Sequence, residues 1–235
     1  MTDTRTGAGT VRSYHQNCPI ALGLDVLGDR WTLLILRELV GGPRRYGDIR
    51  AELPGIATNL LAERLRELEA AGLVERTELP PPAARSVLGL TEAGWRYVVP
   101  VLQSVARLGL REWAAAKPDG VSPFSGFLAG ILLAFDPSAL TNLAGADLKE
   151  SVAADIDGRR FEFAVSGQRI AAADGPPTVT MTARAADLVA ARLATTPAER
   201  EGALSSVTFT GRADSVDRVR RAFHLTADGS FGSMS

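Results

Sequence analysis

Thr58, Asn59, Ala62, Glu63 and Arg66 fall on one side of a helical stretch whose other side carries Leu61, Leu65 and Leu68. Spacings of four and three make the leucines a core-facing stripe and leave small or hydrogen-bonding groups on the opposite face. Groups of that kind enter a DNA major groove without obstruction, where base edges offer donors and acceptors. Many solvated helices look the same, so this face alone leaves simple exposure open. Catalytic chemistry is poorly represented elsewhere. The two histidines, His15 and His224, have no evident nucleophile or metal partner, and no Gly-rich phosphate loop is present. The sequence therefore predicts a non-enzyme with no cofactor and no metal. Cys18 is the one cysteine and cannot form an internal disulfide, which agrees with a reducing, cytoplasmic setting.

The elements that must position this face can be read from the chain around it. Pro19 to Leu27 predicts a short helix, and Asp29 is expected to cap a second helix over Trp31 to Val40, ended by Gly41-Gly42-Pro43. A third helix, Tyr46 to Leu53, stops before Pro54, because the residue before a proline avoids helical angles. The helix with the polar face then runs from about Ile56 to Ala71, with Gly72 as a left-handed cap. Strand-like runs Leu73 to Leu79 and Arg85 to Leu90 flank a stiff tip of three prolines, which predicts a hairpin. Thr91 caps a long helix, about Glu92 to Ala115. Its Trp95, Val98, Val99, Leu102, Val105, Leu108 and Trp113 form an apolar surface wide enough for a partner subunit or for packing over its own half.

Charge contributes little to the functional reading. Residues 1–117 hold 15 Lys/Arg against 13 Asp/Glu and residues 118–235 hold 11 against 14, so any claim of nucleic-acid binding rests on where particular arginines sit. At 235 residues with 46% hydrophobic content, the chain can bury two cores. No apolar run approaches the roughly 20 residues that span a bilayer, so no membrane partner is expected.

The expected organisation is a tail over 1–17, a helical unit over 18–117 and a Pro/Gly linker over 118–123. A second unit over 124–228 and a tail over 229–235 follow. In the second unit, Phe124 to Phe135 predicts an apolar helix, and Asp157-Gly158 predicts a hairpin between Ser151 to Ile156 and Arg159 to Val165. Strands over Gln168 to Ala173, Thr178 to Ala183 and Ser206 to Thr210 are expected, with helices over Ala186 to Ala194, Pro197 to Leu204 and Ala213 to Phe223. The fold class is α+β, with an antiparallel sheet in this second unit.

Several motifs in the first unit carry a resemblance. Cys18-Pro19-Ile20 and Leu27-Gly28-Asp29-Arg30-Trp31-Thr32 resemble the opening of the HxlR family of bacterial regulators, relatives of the MarR group. Pro43-Arg44-Arg45-Tyr46-Gly47-Asp48-Ile49, Leu53-Pro54-Gly55-Ile56, Leu60 through Leu68, Gly72-Leu73-Val74 and Leu90-Thr91-Glu92-Ala93-Gly94 extend it over about a hundred residues. The resemblance implies a winged helix-turn-helix and a homodimer held by the first and last helices. It also implies recognition helices that read a two-fold symmetric operator in double-stranded DNA. Specificity would come from Ala57, Thr58, Asn59, Ala62 and Glu63, with the Asn59 amide suited to adenine and Thr58 to a phosphate or a thymine methyl. Arg64 and Arg66 would reach phosphate or pair with Glu67 and Glu63 on their own helix. Arg44 and Arg45 are further phosphate candidates, and Arg85 stands where relatives carry a basic residue beside the wing tip. Around it, Ala83-Ala84 and Val87-Leu88 depart from the family pattern. Cys18 aligns with a cysteine that some members use to sense oxidants, although a lone cysteine beside an apolar helix is ordinarily a small buried hydrophobe.

The second unit resembles the sterol-carrier-protein-2-like fold through Thr178 to Thr182, the helix from Asp187 and Ser206 to Ala213 before the last helix. That resemblance implies an apolar tunnel lined by Phe124, Phe127, Leu128, Ile131, Phe163 and Met181, and a small-molecule effector bound there, unless those residues are plain core. The sequence thus favours a dimeric regulator modulated by an apolar molecule. The competing readings are a second unit that serves only dimerisation or protein recruitment, and a lipid carrier with a vestigial winged helix.

Overall fold

The computed structural model describes residues 13–80, 86–111, 134–136, 149–166 and 169–228. The first half begins with α1 (Pro19–Leu27), α2 (Thr32–Val40), α3 (Tyr46–Glu52) and α4 (Thr58–Ala70), followed by the hairpin β1 (Val74–Glu78) and β2 (Ser86–Leu90) and the long helix α5 (Glu92–Arg111). Ile35, Leu36, Leu39, Ile49, Leu61, Leu65, Leu68, Leu88 and Val98 are all within 1% of complete burial. These residues come from α2 through α5 and β2, so each helix contributes one apolar stripe to a common core.

The joint between α4 and the hairpin follows from local chemistry. Gly72 takes φ 70, and its neighbours close α4 with Leu73 N–H donating to the Leu68 carbonyl and Gly72 N–H to the Glu69 carbonyl. Thr91 Oγ1 accepts from Gly94 N–H at 3.0 Å, capping α5, and its hydroxyl donates to the Gly72 carbonyl at 2.6 Å. Gly94 is required at this crossing, because a Cβ there would lie 2.2 Å from the Leu73 carbonyl oxygen.

Asp29 departs from its expected role. The cap position of α2 is Trp31, and the Asp29 carboxylate instead pairs with Arg64 on α4. An ion pair with a half-buried guanidinium outcompetes a backbone cap, and only the tertiary fold brings that guanidinium near. The helix with the polar face is also shorter than expected, with Ala57 standing outside it as the N-cap.

In the second half a five-stranded sheet has the order β5-β4-β3-β6-β7, formed by β3 (Lys149–Ile156), β4 (Arg159–Ser166), β5 (Arg169–Ala172), β6 (Val179–Ala183) and β7 (Thr208–Gly211). Helices α6 (Ala185–Leu193) and α7 (Pro197–Leu204) connect β6 to β7, and α8 (Ala213–Ala222) closes the chain. The sheet is mixed, which corrects the antiparallel expectation: β3 pairs in parallel with β6, Val152 opposite Val179 and Ile156 opposite Ala183. Because β4 and β5 meander away on one side of β3, the chain returns to its other side, and β6 then runs in the direction of β3. The Asp157-Gly158 turn has φ 49 and 76, the paired positive angles of a tight hairpin. Thr196 and Glu199 form a reciprocal capping box at the start of α7.

Two ties hold α8 to this sheet. Glu150, buried in β3, accepts from Arg218 Nε at 3.0 Å and from Thr178 Oγ1 at 2.6 Å. Burial pushes the Glu150 carboxyl up, but hydrogen bonds from Thr178, Arg218 and Ser215 outweigh it and leave the group below the ordinary range. The second tie is Phe223, just after α8, whose ring stands 5.5 Å from Phe163 of β4 and also holds the tripeptide 134–136. Phe135 lies 5.4 Å from the Phe223 ring, Asp136 N–H donates to the Ala222 carbonyl, and the Asp136 carboxylate meets His224 at 3.2 Å. Of the apolar helix expected over 124–135, only Ala134 and Phe135 lie among the described residues, and both are non-helical and buried.

Candidate nucleic-acid interface

Helix α4 presents its N-terminus to solvent. Ala57, Thr58, Asn59, Glu63 and Arg66 are exposed, Ala62 is half-buried, and Leu61, Leu65 and Leu68 anchor the helix from behind. The first turn carries no acidic residue, and the Ala57 cap position supplies no side-chain acceptor. The orphan N–H groups and the positive end of the helix dipole are therefore left for an outside acceptor, an arrangement that favours anions such as phosphate. One internal contact fixes this end: Tyr46, at the start of α3, donates its hydroxyl to the Thr58 carbonyl at 2.8 Å. Sequence reasoning passed over Tyr46. Its only signal was an aromatic at the first position of a helix leading into the turn.

The structure sorts the arginines. Arg64 is half-buried and paired with Asp29 and, at 2.6 Å, with Glu67, so it holds α4 against the loop before α2. Arg66 folds back to donate to the Ala62 carbonyl at 3.2 Å while staying exposed. Arg45 is exposed at the cap position of α3. Arg44 is embedded: its guanidinium meets Glu38 at 2.5 Å and Glu52 at 3.7 Å, and its backbone exchanges two hydrogen bonds of 2.8 Å with Leu88 of β2. Arg76 on β1 is neutralised by Glu69 at 3.1 Å and also donates to Ser86 Oγ. Arg85 lies outside the described residues, as do Phe124, Phe127, Leu128 and Ile131.

The groups that sequence reasoning missed are mostly carboxylates. Glu38 on α2 is completely buried and accepts from Arg37 at 2.8 Å and Arg44 at 2.5 Å. Glu52 at the end of α3 binds Arg159 of the second half at 2.9 Å. Neither carried a signal in a one-dimensional pattern, since both partners arrive through the fold.

Cys18 is half-buried at the cap position of α1, not enclosed in the core as expected. Its thiol faces the Ala21 and Ile20 N–H groups, which hold its pKa below the ordinary thiol value. Phe163 and Met181 are buried. The register places Phe163 of β4 opposite Val152 of β3, and Met181 of β6 opposite Ala154 of β3, so both project from the same face of the sheet.

With this geometry in place, the likeness to known proteins can be stated for the first half. The HxlR-like helix-turn-helix family profile matches residues 26–117. The uncharacterized HTH-type transcriptional regulator sll1512 of Synechocystis sp. is 41% identical over 92 residues, 39% of this chain and 67% of that protein. In Bacillus subtilis, the uncharacterized HTH-type transcriptional regulator YvaP is 35% identical over 97 residues, covering 41% of this chain and 88% of its own length. The HTH-type transcriptional regulator YodB of the same organism is 41% identical over 78 residues, 33% of this chain and 70% of that protein. Through this segment, the chain belongs to the HxlR-like helix-turn-helix family of transcriptional regulators.

Proposed function

We propose that the protein is a dimeric transcriptional regulator whose α4 and wing read a two-fold symmetric operator in double-stranded DNA. The observation that carries this reading is the exposed, uncapped start of α4, where Thr58 and Asn59 stand on a helix braced by Arg64 and by Tyr46. Asn59 takes the base edge and Thr58 a phosphate or thymine methyl, with Ala57, Ala62 and Glu63 bounding the contact. Arg45, Arg66 and Arg85 supply phosphate contacts, while Arg44 and Arg64 serve as braces. Support for the dimer comes from apolar side chains left in water. Ile20, Leu22, Leu24 and Val26 on α1 and Tyr97, Val105 and Leu108 on α5 are all more than 40% exposed. On α5 the spacings of eight and three put Tyr97, Val105 and Leu108 on one side of the helix, a face that can pair with its own copy.

Asn59→Ala is expected to lose about 1–3 kcal/mol of discrimination at one base pair per half-site while leaving the fold intact. Anisotropy titrations against fragments selected from genomic DNA, repeated at several salt concentrations, measure this. Loss of affinity without any change in base preference would remove Asn59 from the reading head, and binding with no sequence preference in the parent protein would sink the whole reading.

The second half is the effector domain in this reading, over residues 124–228, with an apolar small molecule held against the sheet face that carries Phe163 and Met181. Coupling requires that the molecule favour one dimer geometry over another. Native mass spectrometry of the purified dimer is expected to detect a co-purifying apolar adduct that Phe127→Trp displaces. Spectra free of adduct after exposure to lipid extracts would leave the second half with the interface role.

A further inference from the structure

Besides the packing of α5 against β5, the two halves meet through a set of charges that ends on the wing. Arg159, the first residue of β4, reaches the Glu52 carboxylate at 2.9 Å, and Arg44 shares that carboxylate at 3.7 Å. Arg44 in turn pairs with the buried Glu38 at 2.5 Å and is bonded through its own backbone to Leu88 in β2. Glu38, Arg44, Glu52 and Arg159 line one cleft of about 480 Å³ between the halves. We infer that this chain of ion pairs is a regulatory link, through which the β3–β4 hairpin of the second half sets the placement of α3 and the wing strand. The inference rests on the DNA-binding reading above and names how the second half acts on it.

The physical case lies in what each partner is attached to. Arg159 follows the Asp157-Gly158 turn at the tip of the hairpin, so a shift of the sheet moves it directly. Glu52 ends α3, the helix that Tyr46 ties to the start of α4. Arg44 belongs to neither helix, and its bridge to Leu88 makes it the point where the link passes into β2. The pair itself is partly exposed, with Arg159 half in water and Glu52 mostly shielded. Pairs of that kind are weak and screened by salt, which suits a contact that must open.

The test uses the full-length protein, a genomic DNA fragment it selects, and Arg159→Gln, Glu52→Gln, their combination and Arg160→Gln. Plain charge effects predict opposite signs: removing Arg159 weakens binding to DNA, and removing Glu52 tightens it. A link predicts that each single change weakens binding by about two- to fivefold and that the double variant is no worse than either single one. Arg160 lines the same cleft but pairs with Asp155 and Glu162 of its own half, so Arg160→Gln is the control for charge in the cleft and is expected to change nothing. Amide exchange gives a reading that does not depend on DNA: the Arg44 and Leu88 N–H groups are expected to lose protection in both single variants. Opposite-signed effects on affinity, or unchanged exchange at these two amides, would overturn the link. If the parent protein selects no DNA, the DNA-binding reading fails and amide exchange alone decides whether the halves are coupled.

Discussion

Glu38→Ala is expected to destabilise the N-terminal half by about 3–5 kcal/mol, because removing one partner of a buried ion pair leaves the other charges uncompensated. Glu38 has no exposed surface, and its two carboxylate oxygens are divided between Arg37 and Arg44, whose side chains are only 17% and 22% exposed. Without the carboxylate, two guanidiniums remain in a poorly hydrated site, with Arg44 left to its longer contact with Glu52 at 3.7 Å. The defect also reaches the wing, since Arg44 is bonded to Leu88 through its backbone and holds Glu52 with its side chain. Glu38→Gln retains shape and an acceptor, so its cost is expected to be smaller. All three tryptophans, Trp31, Trp95 and Trp113, lie in the first 117 residues, so urea unfolding followed by tryptophan fluorescence reports on this half. A midpoint for Glu38→Ala within error of the parent's would mean that the guanidiniums find water or other partners, and Glu38 would then be no structural keystone.

How much of this was legible beforehand divides by the range of the interaction. Pro19–Leu27 and Pro197–Leu204 form the helices their residues predict, since a proline at the first turn and, for the second, a capping box act within a few positions. Asp157-Gly158 makes the hairpin it predicts for the same reason. Asp29 shows where local reasoning ends. Its capping chemistry was real, but Arg64 lies 35 residues away and offers a stronger partner. The parallel β3–β6 pair was equally illegible, because no local pattern records which side of β3 the chain returns to after a meander. At the candidate interface periodicity picks out the exposed residues, and Arg64 pairs with Glu67 on its own helix as its spacing allows, while Asp29 beside Arg64 and Glu38 and Glu52 beside Arg44 arrive only through the fold. A charge reads identically in sequence whether it faces phosphate or a buried glutamate.

Phe163→Ala is expected to cost about 3–5 kcal/mol, the range for truncating a fully packed aromatic. The residue decides between two views of the second half. Its ring lies 5.5 Å from Phe223 on an edge and 6.1 Å from Phe161 in a stack, and Phe223 itself is tilted against Phe135. Truncation therefore removes contacts with both the sheet and the end of α8, and it loosens the tripeptide 134–136 that depends on Phe223. The half has no tryptophan, so far-UV circular dichroism is the signal that follows it, with tryptophan fluorescence as the internal reference for the first half. A residue that only lines an unfilled tunnel behaves differently, because one side of its ring has no packed neighbours to lose. A loss below about 1 kcal/mol would place Phe163 at the wall of such a tunnel. The full loss would make it core, and an apolar effector would then have to enter beside this ring cluster instead of through it.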